Sequence, residues 1–113
     1  MKIYHNPRCS KSRQTLKLIE DAGVQPEVVQ YLTNPPTIKE LERILKILGL
    51  EPQDLMRKKE ALYKELGLAD KSLSRTETIQ VMVENPKLIE RPIVVEGNQA
   101  VIGRPPENVN ELL

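Results

Sequence analysis

The chain has 113 residues, with 17 lysines and arginines against 16 aspartates and glutamates, for a formal net charge of +1. That balance sets up no global field of the kind that draws a protein to nucleic acid or an anionic membrane, so neither is expected as a partner. Hydrophobic residues make up 39% and charged residues 29%, a mix too apolar for a disordered chain, and the apolar runs are too short for a transmembrane helix.

A single cysteine excludes an internal disulfide. Together with an N-terminus that lacks an apolar leader, it leads us to expect a reducing, cytoplasmic location. In chain order, Lys2 to His5 is a short β-prone run broken by Asn6-Pro7. Ser10 to Ala22 reads as a helix, with Leu16, Ile19 and Ala22 recurring every third residue and Gly23 just past its end. Glu27 to Leu32 reads as a second strand. Thr37 and Glu40 form a capping box, opening a helix that carries Ile38, Leu41, Ile44, Leu45 and Leu48 and stops at Gly49. Short helices broken near Gly67 follow. A second capping box, Ser74 and Glu77, opens a helix that ends before Asn85-Pro86. Pro92 to Val95 and Ala100 to Ile102 read as strands of a hairpin, and Glu107 to Leu113 as a last short helix.

The first β-α-β stretch has a crossover long enough for parallel strands, and the final pair is an antiparallel hairpin. The expected architecture is therefore α/β: a thioredoxin-like mixed four-stranded sheet flanked by helices. A helical insertion separates the second and third strands. One domain over residues 1–113 is expected, with the insertion at about 37–88.

Cys9 falls at the start of the first helix, where unpaired amides and the positive end of the macrodipole lie. Arg8, Lys11 and Arg13 surround it, and His5 precedes it by four residues. Such settings bring a cysteine pKa from about 8.5 to roughly 3.5–7.5. A free cysteine is more often a small core residue. The flanks Asn6-Pro7-Arg8 and Ser10-Lys11-Ser12 are too polar for that, so a partly exposed, reactive thiolate is expected. Amides at a helix start also bind tetrahedral oxyanions. A phosphatase loop needs C-x5-R, whereas Cys9 to Arg13 is C-x3-R and Thr15 stands where the arginine would be. Dithiol exchange needs C-x-x-C, and Ser12 fills the second position. Its hydroxyl is a candidate hydrogen-bond donor to the thiolate, but the resolving thiol must come from glutathione or a glutaredoxin. One histidine and one cysteine fall short of a four-ligand zinc site, so no metal is expected. Arg91 precedes Pro92 at a strand start, where a thioredoxin-like fold carries a cis-proline facing the cysteine. Arg104 follows the last strand near the same edge. Arg57 sits in a basic run, Arg57-Lys58-Lys59, which by itself reads as a solvated face.

The runs HNPRCSKSR, LMRKKEALYKELGLAD, ERPIVV and IGRPPENV resemble the glutaredoxin-dependent arsenate reductase family, specifically its short chromosomal branch, in family order over essentially the whole chain. The resemblance implies that Cys9 is the cysteine that attacks arsenate. It implies that His5 and Ser12 support the thiolate and that Arg57, Arg91 and Arg104 hold the oxyanion. It further implies glutathione as co-substrate, glutaredoxin as partner and no bound cofactor. Two alternatives share the architecture: a glutathione-linked monothiol oxidoreductase that does not use arsenate, and an RNA-polymerase-binding regulator. The regulator branch typically keeps a C-x-x-C switch, which Ser12 argues against.

Overall fold

A computed structural model describes all 113 residues, Met1–Leu113. They form two compact units, one of residues 1–34 and 91–113 and one of residues 35–90.

The first unit holds one mixed sheet in the order β2-β1-β3-β4. Its strands are β1 Lys2–His5, β2 Glu27–Gln30, β3 Ile93–Glu96 and β4 Gln99–Ile102. β1 pairs parallel with β2 and antiparallel with β3, which pairs antiparallel with β4. Helix α1, Ser10–Asp21, is the crossover between the two parallel strands. This is the thioredoxin-like sheet that the order of elements predicts. Across the register Ile3 lies beside Val94, and Val94 beside Val101. Ile19 of α1 and Val109 of a C-terminal 3-10 helix, Pro106–Leu112, pack onto that row. Ile3, Ile19, Val94 and Val109 are fully buried, each burial being worth roughly 1.5–3 kcal/mol.

Several boundaries differ from the sequence reading by a residue or two. β2 stops at Gln30 instead of Leu32, because the Gln30 carbonyl accepts from the amides of Thr33 and Asn34 and turns the chain out of the ladder. The hairpin turn is only Gly97-Asn98, since Glu96 and Gln99 still pair; Gly97 supplies the positive φ (58°) that such a tight turn requires. The last helix is 3-10 throughout and starts one residue earlier, at Pro106.

The second unit is helical: α2 Ile38–Leu48, α3 Ala61–Glu65 and α4 Arg75–Glu84, with 3-10 turns at Pro52–Leu55, Leu68–Asp70 and Pro86–Leu88. Thr37 caps α2 by accepting from the Glu40 amide at 3.1 Å. Leu41, Ile44, Leu45, Ile79, Met82 and Leu88 are buried, the apolar stripes of α2 and α4 together with the turn that follows. A short antiparallel bridge joins Met56 to Ile89, flanked by Arg57 N–H to Leu88 O (2.7 Å) and Glu90 N–H to Leu55 O (2.8 Å). On the surface, Arg75 of α4 donates to Glu42 of α2 (2.7 Å) and to Glu51 (3.2 Å).

Candidate functional site

Between the end of β1 and the start of α1 the chain has four residues in which to reverse, and Asn6 builds the turn. Its carbonyl accepts from the Cys9 amide (3.0 Å) and its Oδ1 from the Arg8 amide (3.0 Å). Its own N–H donates to Ser12 Oγ (3.0 Å). Asn6 is buried, and these bonds leave Cys9 at the N-cap position of α1 with extended backbone, φ −93° and ψ 121°.

Cys9 is only 9% exposed, more enclosed than its polar neighbours in sequence suggest, because the site folds over it from β3 and β4. Burial pushes the thiol pKa up. The Ser12 amide, the Arg91 guanidinium (by hydrogen bond and by charge) and the Lys11 amide together outweigh it, so the pKa lies below its ordinary value of 9.0. No capping hydrogen bond of ordinary length reaches Sγ; the amides act from slightly farther away. The cationic side chains next in sequence are not what lowers it. Arg8, Lys11 and Arg13 are exposed, and Arg13 Nη1 donates to the Pro7 carbonyl at 2.9 Å.

Ser12 and His5 are brought together, though not in the way the sequence suggests. The Ser12 hydroxyl meets His5 Nδ1 at 2.6 Å and accepts the Asn6 amide. It is therefore Ser12's backbone N–H, not its hydroxyl, that favours the thiolate. Burial, and then the charge of Arg13, hold the His5 pKa below 6.5 against a smaller opposing effect of Glu20. His5 is thus neutral at pH 7. Its ring nitrogen reaches the Ser12 hydroxyl, and it is not among the groups that shift the Cys9 pKa.

Two of the arginines converge on the cysteine from the far end of the chain. Arg91 is half-buried at the head of β3, with its guanidinium shared between Cys9 and Tyr31. Arg104 extends its Nη2 to 3.8 Å from Cys9 Sγ and donates from Nε to the Arg91 carbonyl at 2.9 Å. The Arg91-Pro92 bond is cis, as the fold leads one to expect, and so is Arg104-Pro105. Gly103 lets this corner close: a Cβ there would collide with the Thr15 hydroxyl and the Pro92 ring. Arg57 belongs to the second unit. It is half-buried beside the Met56–Ile89 bridge, and its Nη1 is buried without a hydrogen-bond partner. No three His, Cys, Asp or Glu side chains gather into a metal-binding group, and no helix is long and apolar enough to cross a membrane.

A buried cysteine at a helix start thus has two guanidinium groups facing it, a geometry able to hold an anion against a thiolate. A family model described as the ArsC family matches residues 4–112. The chain belongs to the ArsC family. It is 60% identical over 114 residues to the uncharacterized protein YfgD of Escherichia coli (strain K12), covering 100% of this chain and 96% of that one. It is 49% identical to a Haemophilus influenzae protein named arsenate reductase, covering 98% and 97%. Among solved structures, one titled arsenate reductase from Vibrio cholerae matches with a TM-score of 0.94 and 55% identity, covering 99% of this chain and 96% of that one.

Asn6, Tyr31 and Gly103 shape the site of this ArsC chain without being candidates in its sequence. Asn6 had a signal, an Asn-Pro step directly before the cysteine, which reads as a strand breaker but also as an Asx turn. Tyr31 had none, because its burial depends on where β2 ends.

Proposed function

We propose that the protein is an arsenate reductase that works through a single cysteine, with glutathione and glutaredoxin supplying the electrons. The observation that carries this reading is Arg104 Nη2 at 3.8 Å from Cys9 Sγ, with Arg91 on the same sulfur. Two cations facing one buried thiolate are more than the thiolate needs. They are what a polyanionic substrate needs to approach it. Membership of the ArsC family, with relatives named arsenate reductase, supports arsenate as that anion.

In this mechanism arsenate docks on the amides of α1 and on Arg91 and Arg104; Arg57 is a third guanidinium by the family resemblance alone. Cys9 thiolate attacks arsenic, an As–S bond forms and an arsenate oxygen leaves as water after protonation. Glutathione displaces a second oxygen. The glutaredoxin thiolate then attacks the glutathione sulfur. The As–S bond to glutathione breaks with its electron pair going to arsenic, which passes from As(V) to As(III), while glutaredoxin leaves as a mixed disulfide with glutathione. Hydrolysis of the remaining As–S bond frees arsenite and regenerates the Cys9 thiolate. The arginines neutralise charge on the arsenate oxygens throughout, and their planar forks contact two oxygens at once, which lysine does not. His5 and Ser12 keep the helix start aligned.

The test is purified protein with arsenate, glutathione, glutaredoxin and glutathione reductase, following NADPH oxidation. Arsenate-dependent oxidation is expected with wild type and none with Cys9→Ser. An arsenate-independent rate on a glutathione mixed-disulfide substrate, with no response to arsenate, would replace this reading with a monothiol oxidoreductase.

A further inference from the structure

We propose that Asn108 is a positioning residue that aims Arg104 at Cys9. The proposal rests on the reading of Arg104 as the anion-facing side chain of the site. Arg104 is exposed, so packing does not fix where its guanidinium goes. Its direction is set by its backbone together with what the guanidinium reaches, the Arg91 carbonyl from Nε and Cys9 Sγ from Nη2. That backbone is a sharp corner between β4 and the C-terminal 3-10 helix, and Asn108 reaches back from the helix to close it. Its Nδ2 donates to the carbonyl of Ile102 at 3.0 Å and to that of Arg104 at 3.1 Å. The rest of the corner is tied as well. Gly103 N–H donates to Pro92 O (2.9 Å), Arg104 N–H to Ile102 O (2.8 Å) and Asn108 N–H to Pro105 O (3.1 Å).

The chemistry of the clamp is specific to a primary amide. One nitrogen with two diverging N–H groups satisfies two carbonyls on either side of Arg104. A carboxylate of the same shape would face both carbonyls as a third acceptor. A hydroxyl has only one proton to give. Without the clamp the corner keeps its backbone bonds but loses the two that brace the Ile102 and Arg104 carbonyls, and the Arg104 side chain spends less of its time on the sulfur. Nothing in the clamp touches Cys9, so its effect on the thiolate passes through Arg104 alone.

Charge-selective alkylation of Cys9 tests this without arsenate, so the result stands apart from whether the protein reduces arsenate. The ratio of the iodoacetate rate to the iodoacetamide rate cancels thiolate fraction and access, leaving the pull of nearby cations on the anionic reagent. Arg104→Ala should lower that ratio roughly fourfold, the attraction between unit charges about 5 Å apart in water. Asn108→Ala should lower it nearly as far, and adding Asn108→Ala to Arg104→Ala should change nothing more. Asn108→Ser, which keeps one donor, should fall between and provides the test should Asn108→Ala fail to fold. A wild-type ratio in both Asn108 variants overturns the proposal. So does an equal drop on adding either Asn108 change to Arg104→Ala, which would mean that Asn108 acts on Cys9 by another route.

Discussion

Cys9 and Ser74 hold the same position at the heads of two helices, and the two starts are built in opposite ways. At α4, Ser74 Oγ accepts the Glu77 amide at 3.1 Å and the Glu77 carboxylate accepts the Ser74 amide at 2.9 Å. The helix closes its own first turn and places a negative charge over its positive pole. At α1 the N-cap residue is a cysteine with no capping hydrogen bond, and the first turn holds no acid. The amides there are left for Sγ, and Arg91 and Arg104 add further positive charge around the sulfur where Glu77 supplies negative charge at α4. One helix start closes on itself and the other is left open, and the difference lies in two residues of each turn.

Replacing Cys9 with serine breaks this contrast most directly. Arsenate-dependent turnover should vanish, because a hydroxyl at that position is not ionised at neutral pH. Serine is a strong N-cap, so α1 should gain about 1 kcal/mol, raising Tm by roughly 4 °C. Thermal melts of the two proteins read this. A lower Tm in Cys9→Ser would mean that the α1 start is already satisfied and was never left open.

The arginines come next. Arg91→Ala and Arg104→Ala should each lower kcat/KM for arsenate by about a hundredfold to a thousandfold, the cost of one charged donor in an oxyanion site. Arg57→Ala should do the same if it is the third guanidinium. Arg91→Ala should also raise the apparent pKa in an iodoacetamide rate-against-pH profile, since Arg91 is among the groups that pull the Cys9 pKa down. The linkage has a definite sign. A thiol pKa lowered by folding stabilises the native state fully above the unfolded value, and that stability is lost as pH falls through the folded value. Arg91→Ala should narrow that window. An unchanged profile would place the thiolate's support in the amides alone.

Much of this site was legible in the sequence, and the parts that were not share a cause. A helix start announces itself locally, so Cys9 and both capping pairs could be placed from neighbouring residues. Arg91 is placed by the cis-proline that a thioredoxin-like fold carries opposite its cysteine, and Arg104 by the end of the hairpin strand at the same edge. What could not be read was which atom of a nearby residue does the work. Ser12 reads as a hydroxyl beside a thiolate, yet its amide faces Cys9 while its hydroxyl binds His5 and Asn6. Arg8, Lys11 and Arg13 read as the source of positive charge because they are adjacent in sequence. A helix directs successive side chains around its axis, and these three point to solvent. Tyr31 and Gly103 matter only through contacts set by where β2 and β4 end.

The buried His5–Ser12–Asn6 chain marks the line between the two roles of this turn. Ser12→Ala leaves the Asn6 amide and His5 Nδ1 without their partner, at a cost of about 1–3 kcal/mol in stability. It keeps the backbone N–H that faces Cys9, so the alkylation pKa should move far less than in Arg91→Ala. His5 adds an acid limb. Its folded pKa is below the unfolded value, so its contribution is complete above about 6.5 and is lost as pH falls through the lowered native value. Urea midpoints from pH 7 to pH 4 should fall more steeply in wild type than in His5→Gln.

The smallest effect is expected at the closed helix start, and it is the control for all the others. Ser74→Ala removes the hydroxyl that accepts the Glu77 amide and should cost about 1 kcal/mol of stability. The Ser74 amide and hydroxyl hold the Glu77 carboxyl below its ordinary value of 4.5. The part of this cap that depends on charge is therefore present above that value and lost as pH falls through the lowered one. Denaturation midpoints at pH 7 and pH 3 should differ less in Ser74→Ala than in wild type. The Cys9 alkylation profile and the arsenate kinetics should not change, because this helix start supports α4 and nothing at Cys9. A shift in the Cys9 pKa on changing Ser74 would show that the two helix starts are coupled, and the division between a stabilising turn and a binding turn would then fail.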